Sequence, residues 1–270
     1  MTDNWRGRWW RGFKKELADI GPISGLAGLG AGGVALTESV LLSGGAVVFV
    51  ICGSVGIAAY RSYPEPLTNP ESIVGQTFSP PSEIPPLTRE VPYIGVFGET
   101  KSGKSTLLRK LMNDTGKAKP TRGSHATVLR TNGANPQVFV LLDGEGESPA
   151  EQSKICKNAD LLFFVVDHNI SDAETRISTP RKEDHLKFWK SMSTFFNDRD
   201  KDIQTIHVLL NKKDCWIKSS ASDDFHTWGR NLVDGIKSQV SCRDVTVSPH
   251  SNFETDYVSY VWAKIEEFVT

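Results

Sequence analysis

Hydrophobic and polar positions follow three different patterns along the chain. In residues 20–60 they barely alternate: before Tyr60 the ionisable side chains are Glu38 and the weakly acidic Cys52. Residues 40–60 form an uncharged apolar run, long enough to cross a bilayer as a helix. Residues 20–37 are rich in glycine, with small side chains four apart at Gly21/Gly25, Gly28/Gly32 and Ala27/Ala31/Ala35, a spacing that lets helices approach closely in lipid. Residues 61–90 show little periodicity and hold seven of the fourteen prolines, including Pro80-Pro81 and Pro85-Pro86, so an extended, semi-rigid linker is expected there.

From residue 91 the pattern becomes that of a folded domain. Apolar runs at 91–97, 138–142, 161–166 and 206–210 have the length and branching of buried strands, and 127–130 and 245–247 are weaker strands. Helices fill the gaps: Phe253, Tyr257, Val261, Ile265 and Phe268 repeat at helical spacing, as do His185, Trp189, Met192 and Phe196. Strands alternating with helices predict an α/β fold with a mostly parallel sheet of six strands flanked by helices. The chain therefore divides into a basic-aromatic segment 1–19, an apolar stretch 20–60, a linker 61–90 and an α/β domain 91–270.

Charge decides between two topologies for the apolar stretch, a single helix from Val40 or a hairpin turning near Thr37-Glu38-Ser39. Arg6, Arg8, Arg11, Lys14 and Lys15 precede it, and the positive-inside tendency holds such a segment on the cytoplasmic side. With the α/β domain also expected to face the cytosol, the two ends lie on one side and require an even number of crossings. A transmembrane helical hairpin satisfies both demands. Trp5, Trp9, Trp10 and Phe13 interleave with the basic residues as an interfacial anchor would, so residues 5–60 are expected to engage a membrane in two passes with the domain facing the cytoplasm. The bland alternative is a buried core helix with a solvated basic tail. A formal net charge of -1 argues against nucleic acid as a partner. Cys52, Cys156, Cys215 and Cys242 are scattered without C-x-x-C or metal-ligand spacing and read as reduced thiols.

Three short segments carry candidate chemistry. Gly98-Glu99-Thr100-Lys101-Ser102-Gly103-Lys104-Ser105 matches G-x-x-x-x-G-K-[ST] between a predicted strand and the helical-looking segment that starts at Thr106. Its glycines let successive amides converge on one phosphate cluster, and the helix N-terminus adds its positive dipole end. Lys104 would bridge the β- and γ-phosphates and the Ser105 hydroxyl would hold Mg2+. Asp143 ends the strand at 138–142 and is followed by Gly144, Glu145 and Gly146; a carboxylate there can hold Mg2+, and the Gly146 amide can meet the γ-phosphate. Asn211-Lys212-Lys213-Asp214 follows the strand at 206–210, on the edge where open α/β sheets bind ligands. A fixed Asp214 carboxylate can accept from N1-H and the 2-amino group of guanine, Asn211 would hold the loop and Lys212 would cover the base plane. Taken singly, the second and third segments are also what an ordinary strand-end turn or a solvated lysine-rich loop would look like.

In this order the motifs resemble those of the P-loop GTPases of the translation-factor-related class, with Era-type and Ras-like G domains, over residues 91–270. The resemblance implies a Ras-like fold, binding of GTP and GDP with Mg2+, GTP hydrolysis and a nucleotide-dependent switch. It also implies a threonine that closes over Mg2+ and the γ-phosphate, for which Thr127 fits best and Thr121 is the alternative. The family's Ser-Ala-Lys turn corresponds to Ser248-Pro249-His250, which departs at two of three positions and leaves Ser248 and Pro249 to contact the base through backbone. Where Ras-like proteins carry a water-orienting glutamine, this chain has Glu147, whose charge is unfavourable beside a γ-phosphate, so hydrolysis is expected to need a partner, a homodimer or K+. The short strings shared with immunity-related and guanylate-binding proteins are taken as coincidence. The competing readings are a self-associating membrane-remodelling GTPase, a P-loop ATPase or kinase, and a nucleotide-independent adaptor.

Overall fold

The structure, a computed structural model, describes residues 66–113, 123–132, 135–144, 148–171, 174–196, 199 and 203–270. The anchor expected at 1–19 and the hairpin expected at 20–60 lie outside the described residues, as do Thr121, Gly146 and Glu147. Among the described residues no helix is long and apolar enough to cross a membrane.

Thr68–Thr270 fold around one seven-stranded sheet. Its strands are β1 (Thr77–Phe78), β2 (Tyr93–Phe97), β3 (Ser124–Arg130), β4 (Val138–Gly144), β5 (Leu161–Asp167), β6 (Ile203–Asn211) and β7 (Cys242–Pro249), in the spatial order β1-β3-β4-β2-β5-β6-β7. From β4 to β7 all neighbours are parallel, whereas β3 runs antiparallel to β4 and β1 antiparallel to β3. The helices are α1 (Lys104–Leu111), α2 (Pro149–Asn158), α3 (Thr179–Ser193), α4 (Lys213–Trp216), α5 (Ser222–Gln239) and α6 (Thr255–Val269).

Strand alternation sorts the core into two layers. Leu161, Phe163 and Val165 of β5 join Ile94 and Val96 in packing on Leu107, Leu108 and Leu111 of α1 and Val261 and Ile265 of α6. Leu162, Phe164 and Val166 point the other way, with Phe97, onto Ile155 of α2, Trp189 and Met192 of α3 and Phe225, Leu232 and Ile236 of α5. Successive side chains of a strand face opposite sides, so a continuous apolar run is what a sheet covered on both faces requires. Helix starts are equally legible: Ser148 caps α2 by accepting from Glu151 N, Ser178 caps α3 by accepting from Arg181 N, and each is followed by a proline in the first turn.

Two expectations need correction. The sheet has seven strands, not six, because the segment expected to be a linker supplies β1. Residues 68–90 belong to the same unit as the rest of the domain. Pro70 and Pro81 begin short 3-10 helices, where a missing amide costs nothing. Ile73 is buried, and Val74, Phe78, Ile84 and Leu87 pack on the same core. Backbone bonds from Gly75 N to Val128 O (2.8 Å) and from Val128 N to Gln76 O (3.0 Å) lead the segment into its pairing with β3. The prolines thus encode tight turns across a sheet edge, covering backbone groups that would otherwise be open to another chain. The second correction concerns the last helix: it starts at Thr255, so Phe253 lies before it and is 71% exposed, while Val261 and Ile265 carry the buried stripe.

Candidate functional site

The Gly98–Ser105 segment leaves the end of β2 and turns into α1. Its backbone needs three left-handed positions: Gly98 (φ 147°), Lys101 (φ 63°) and Gly103 (φ 102°). At Gly98 a Cβ would come within 2.3 Å of Val165 O, so the loop can lie against β5 only without a side chain there. Unlike α2 and α3, α1 has no side-chain cap.

Four carbonyls of this loop are held by side-chain donors. Lys104 Nζ donates to Glu99 O (2.7 Å), Arg181 Nη2 to Thr100 O (2.6 Å), Asn211 Nδ2 to Ser102 O (2.7 Å) and Asn252 Nδ2 to Gly103 O (3.0 Å). A planar trans peptide points its amide opposite to the carbonyl of the residue before it, so holding Ser102 O and Gly103 O turns the amides of Gly103 and Lys104 away from the two asparagines. That is the arrangement of an anion nest at a helix N-terminus. Ser102 Oγ and Asn211 Oδ1, both buried beside the loop, have no protein hydrogen-bond partner.

Lys104 is 5% exposed. Burial pulls its ammonium down to about 8, against the raising pull of Glu99 and Asp143 and with the help of the Arg181 charge. A phosphate anion at the nest would restore the full charge. Nucleotide binding between pH 8 and 9 should therefore take up a proton, because the free protein has lost part of one that the complex keeps. Calorimetry in two buffers of different ionisation enthalpy should give apparent binding enthalpies that differ more at pH 8.5 than at pH 7.5, where both the lysine and the nucleotide phosphate are closer to their bound ionisation states; a difference no larger at pH 8.5 would contradict this.

Asp143 is the penultimate residue of β4, paired with His125, and lies near enough to Lys104 to act on its charge. Ser105 occupies the second position of α1. A hydroxyl and a carboxylate are hard oxygen donors, and no group of three or more His, Cys, Asp or Glu among the described residues could hold a metal unaided. This donor set suits Mg2+, which binds through one or two protein oxygens and completes its shell with phosphate oxygens and water.

The segment expected to select the base is tied to the same loop through Asn211. Asn211 ends β6, Lys212 follows in a left-handed conformation, and Asp214 lies in α4. Trp216, fully buried, donates its Nε1-H to Asn211 O at 2.9 Å, and Lys213 N donates to His250 O at 2.9 Å. Asp214 Oδ1 accepts from Ser251 Oγ at 2.8 Å.

Three site expectations shift. Ser248 and Pro249 lie inside β7, paired with Leu209 and Leu210; the residues that reach the site are Ser251 and Asn252, just past the strand end. The Lys212 ammonium is turned to Asn169 O (2.9 Å), Ile170 O (3.3 Å) and Asp167 Oδ2 (2.8 Å), which leaves its stem, and not its charge, to flank a base. Thr127 is not brought to the site: it pairs with Leu141, two residues before Asp143, and its hydroxyl shares a 3.0 Å hydrogen bond with Thr77.

A buried ionic cluster behind the loop escaped the motif reading. Asp167, at the end of β5, meets Arg181 Nε (2.6 Å), His185 Nε2 (2.8 Å) and Lys212 Nζ (2.8 Å). Burial would raise the carboxyl, but the His185 hydrogen bond and the charges of His185, Arg181 and Lys212 outweigh it and hold it at about 2. Asp167 is therefore ionised and orients Arg181 onto Thr100 O. Its signal in the sequence was the one used for Asp143, an acid at the end of an apolar strand.

Residues 93–212 match the model of the family described as 50S ribosome-binding GTPase. No curated protein matches the chain. Solved structures similar to it include a GTP-binding protein from the hyperthermophilic archaeon Sulfolobus solfataricus in complex with GDP, 20% identical over 66% of this chain and 52% of that one, with a TM-score of 0.43. Another is Methanosarcina barkeri Roco2 bound to GDP, 15% identical over 72% of this chain and 51% of that one, with a TM-score of 0.45. The chain spans about half the length of these structures. With its phosphate loop, its strand order and the family match at residues 93–212, the described unit has the α/β P-loop GTPase fold and is similar to the 50S ribosome-binding GTPases.

Proposed function

We propose that this chain binds GTP and GDP, hydrolyses GTP with Mg2+ and acts as a nucleotide-dependent switch, tethered to a membrane through residues 5–60 with the nucleotide domain on the cytoplasmic side. The reading rests on one observation above all: Asn211 and Asn252 donate to Ser102 O and Gly103 O, so the base-selecting loops and the phosphate loop form one rigid edge. In this reading the amides of the phosphate loop cradle the phosphates, Lys104 supplies a mobile charge at the β- and γ-oxygens, and Asp214 accepts two hydrogen bonds from guanine. Ser105 and Asp143 would hold Mg2+, which supplies charge neutralisation at the phosphate oxygens when bound. Arg181 keeps Thr100 O turned outward, so the loop is organised before the ligand arrives, at no cost to binding.

Guanine is favoured over adenine because an unpaired Asp214 carboxylate is penalised. The family match at residues 93–212 supports the same choice. The membrane proposal is supported by the uncharged run at 40–60 and the basic-aromatic residues before it. Competition binding to residues 68–270 tests the nucleotide reading: GDP should displace a fluorescent guanine nucleotide at concentrations about 100-fold or more below those of ADP. Equal potency would leave a P-loop ATPase or kinase as the better account. A second reading, a self-associating membrane-remodelling GTPase, draws on the small-residue spacing at 20–37 and predicts hydrolysis per molecule that rises with protein concentration.

A further inference from the structure

The sheet opens at the site. β2 pairs with β4 at Tyr93, Ile94 and Gly95, and no further, while on its other side it stays paired with β5 as far as Phe97. Beyond Gly95 the two strands carry the two halves of the site: β2 leads into the phosphate loop and Ser105, β4 into Asp143 and Gly144. A gap between parallel strands exposes backbone groups that must be bonded by something else.

One side chain fills the gap. Gln152, fully buried in α2, accepts from Gly98 N at 3.3 Å through Oε1 and donates from Nε2 to Gly144 O at 3.2 Å. Its carboxamide carries an acceptor oxygen and an NH2 donor on one carbon, so a single planar group bonds the amide of one strand end and the carbonyl of the other. The helix has little freedom to shift beneath it, since a Cβ on Gly144 would meet Ile155 Cδ1 at 2.8 Å. The amide therefore sets the distance between the loop that ends in Ser105 and the strand that carries Asp143.

We propose that Gln152 is a positioning residue for Mg2+: its amide fixes the spacing between Ser105 and Asp143, and so the concentration of Mg2+ at which nucleotide is held. This deepens the nucleotide reading and rests on it. Gln152 touches neither nucleotide nor metal, and acts through Gly98 and Gly144.

The test uses the full chain loaded with fluorescent GDP and reads two quantities, the release rate in excess chelator and the Mg2+ concentration that half-maximally slows release. Gln152→Met removes both hydrogen bonds at similar volume, and Gln152→Glu keeps the shape while replacing the donor by an oxygen that faces Gly144 O. Both variants should raise the half-effect concentration of Mg2+ about tenfold, as loss of an orienting group typically does, with the release rate in chelator within about threefold of the unmodified chain. An unchanged Mg2+ midpoint in both variants overturns the proposal. A release rate in chelator that rises by the same factor as the midpoint also overturns it, since a purely structural role would loosen both alike. Should the unmodified chain bind no GDP, the nucleotide reading fails first and this one with it.

Discussion

Asp214→Asn should convert a guanine-preferring protein into one that prefers xanthine nucleotides. The aspartate presents two acceptors to the N1-H and 2-amino group of guanine; asparagine keeps one acceptor and replaces the other by a donor. That pair matches N1-H and the 2-carbonyl of xanthine. Each charge-assisted hydrogen bond contributes about 1.5–3 kcal/mol, so losing one and setting two donors against each other in its place should weaken GDP by about 100-fold or more and improve XDP by a similar factor. The substitution should leave the fold intact, because Ser251 Oγ donates to Asp214 Oδ1 at 2.8 Å and an amide oxygen can take that bond. Displacement titrations with GDP, XDP and ADP on the unmodified and substituted chain read this directly. An unaltered base preference would sink the assignment of Asp214.

What could be read from the sequence divides by how local the chemistry is. The phosphate loop is eight consecutive residues with a strand before and a helix after, and every one of its special backbone positions lies within it. Asp143 and Asn211 close apolar runs with the length and branching of buried strands, so their place at strand ends was legible too, and Asp214 follows three residues after Asn211. Asn252 was not, because its partner, Gly103, is 149 residues away and nothing in the neighbourhood of Asn252 announces it. Arg181 and Gln152 were missed for the same reason: each sits on a helix face, and what marks it is a backbone atom on another element. The Thr127 assignment failed on a boundary. With a strand expected at 127–130, Thr127 stood at its mouth, but β3 begins at Ser124, which carries Thr127 into the sheet beside Thr77. Residues 68–90 misled through composition, since proline density is shared by extended spacers and by the short 3-10 turns seen here.

Gly103→Ala should uncouple the two asparagines from the phosphate loop and weaken GDP binding. Gly103 precedes α1 with φ 102°, a conformation that costs an L-residue about 1–3 kcal/mol. Strain is the smaller part. The added carbon would lie 2.2 Å from Asn211 Nδ2 and 2.8 Å from Asn252 Nδ2, the two amides that hold Ser102 O and Gly103 O. Both must withdraw, and each abandoned buried group costs about 1–3 kcal/mol. The sum, about 3–9 kcal/mol, falls on the phosphate loop and on its coupling to the loops that carry Asn211 and Asn252, so GDP affinity should drop by at least 100-fold. Neither core layer is touched, and the sheet should survive with a lowered melting temperature. Gly235→Ala is the matched control: it adds the same methyl group inside α5, where nothing lies within 4 Å, and a helix gains from the exchange. That variant should bind GDP normally and melt no lower than the unmodified chain. If Gly103→Ala binds within about threefold of Gly235→Ala, the two asparagines are not what organises the phosphate loop.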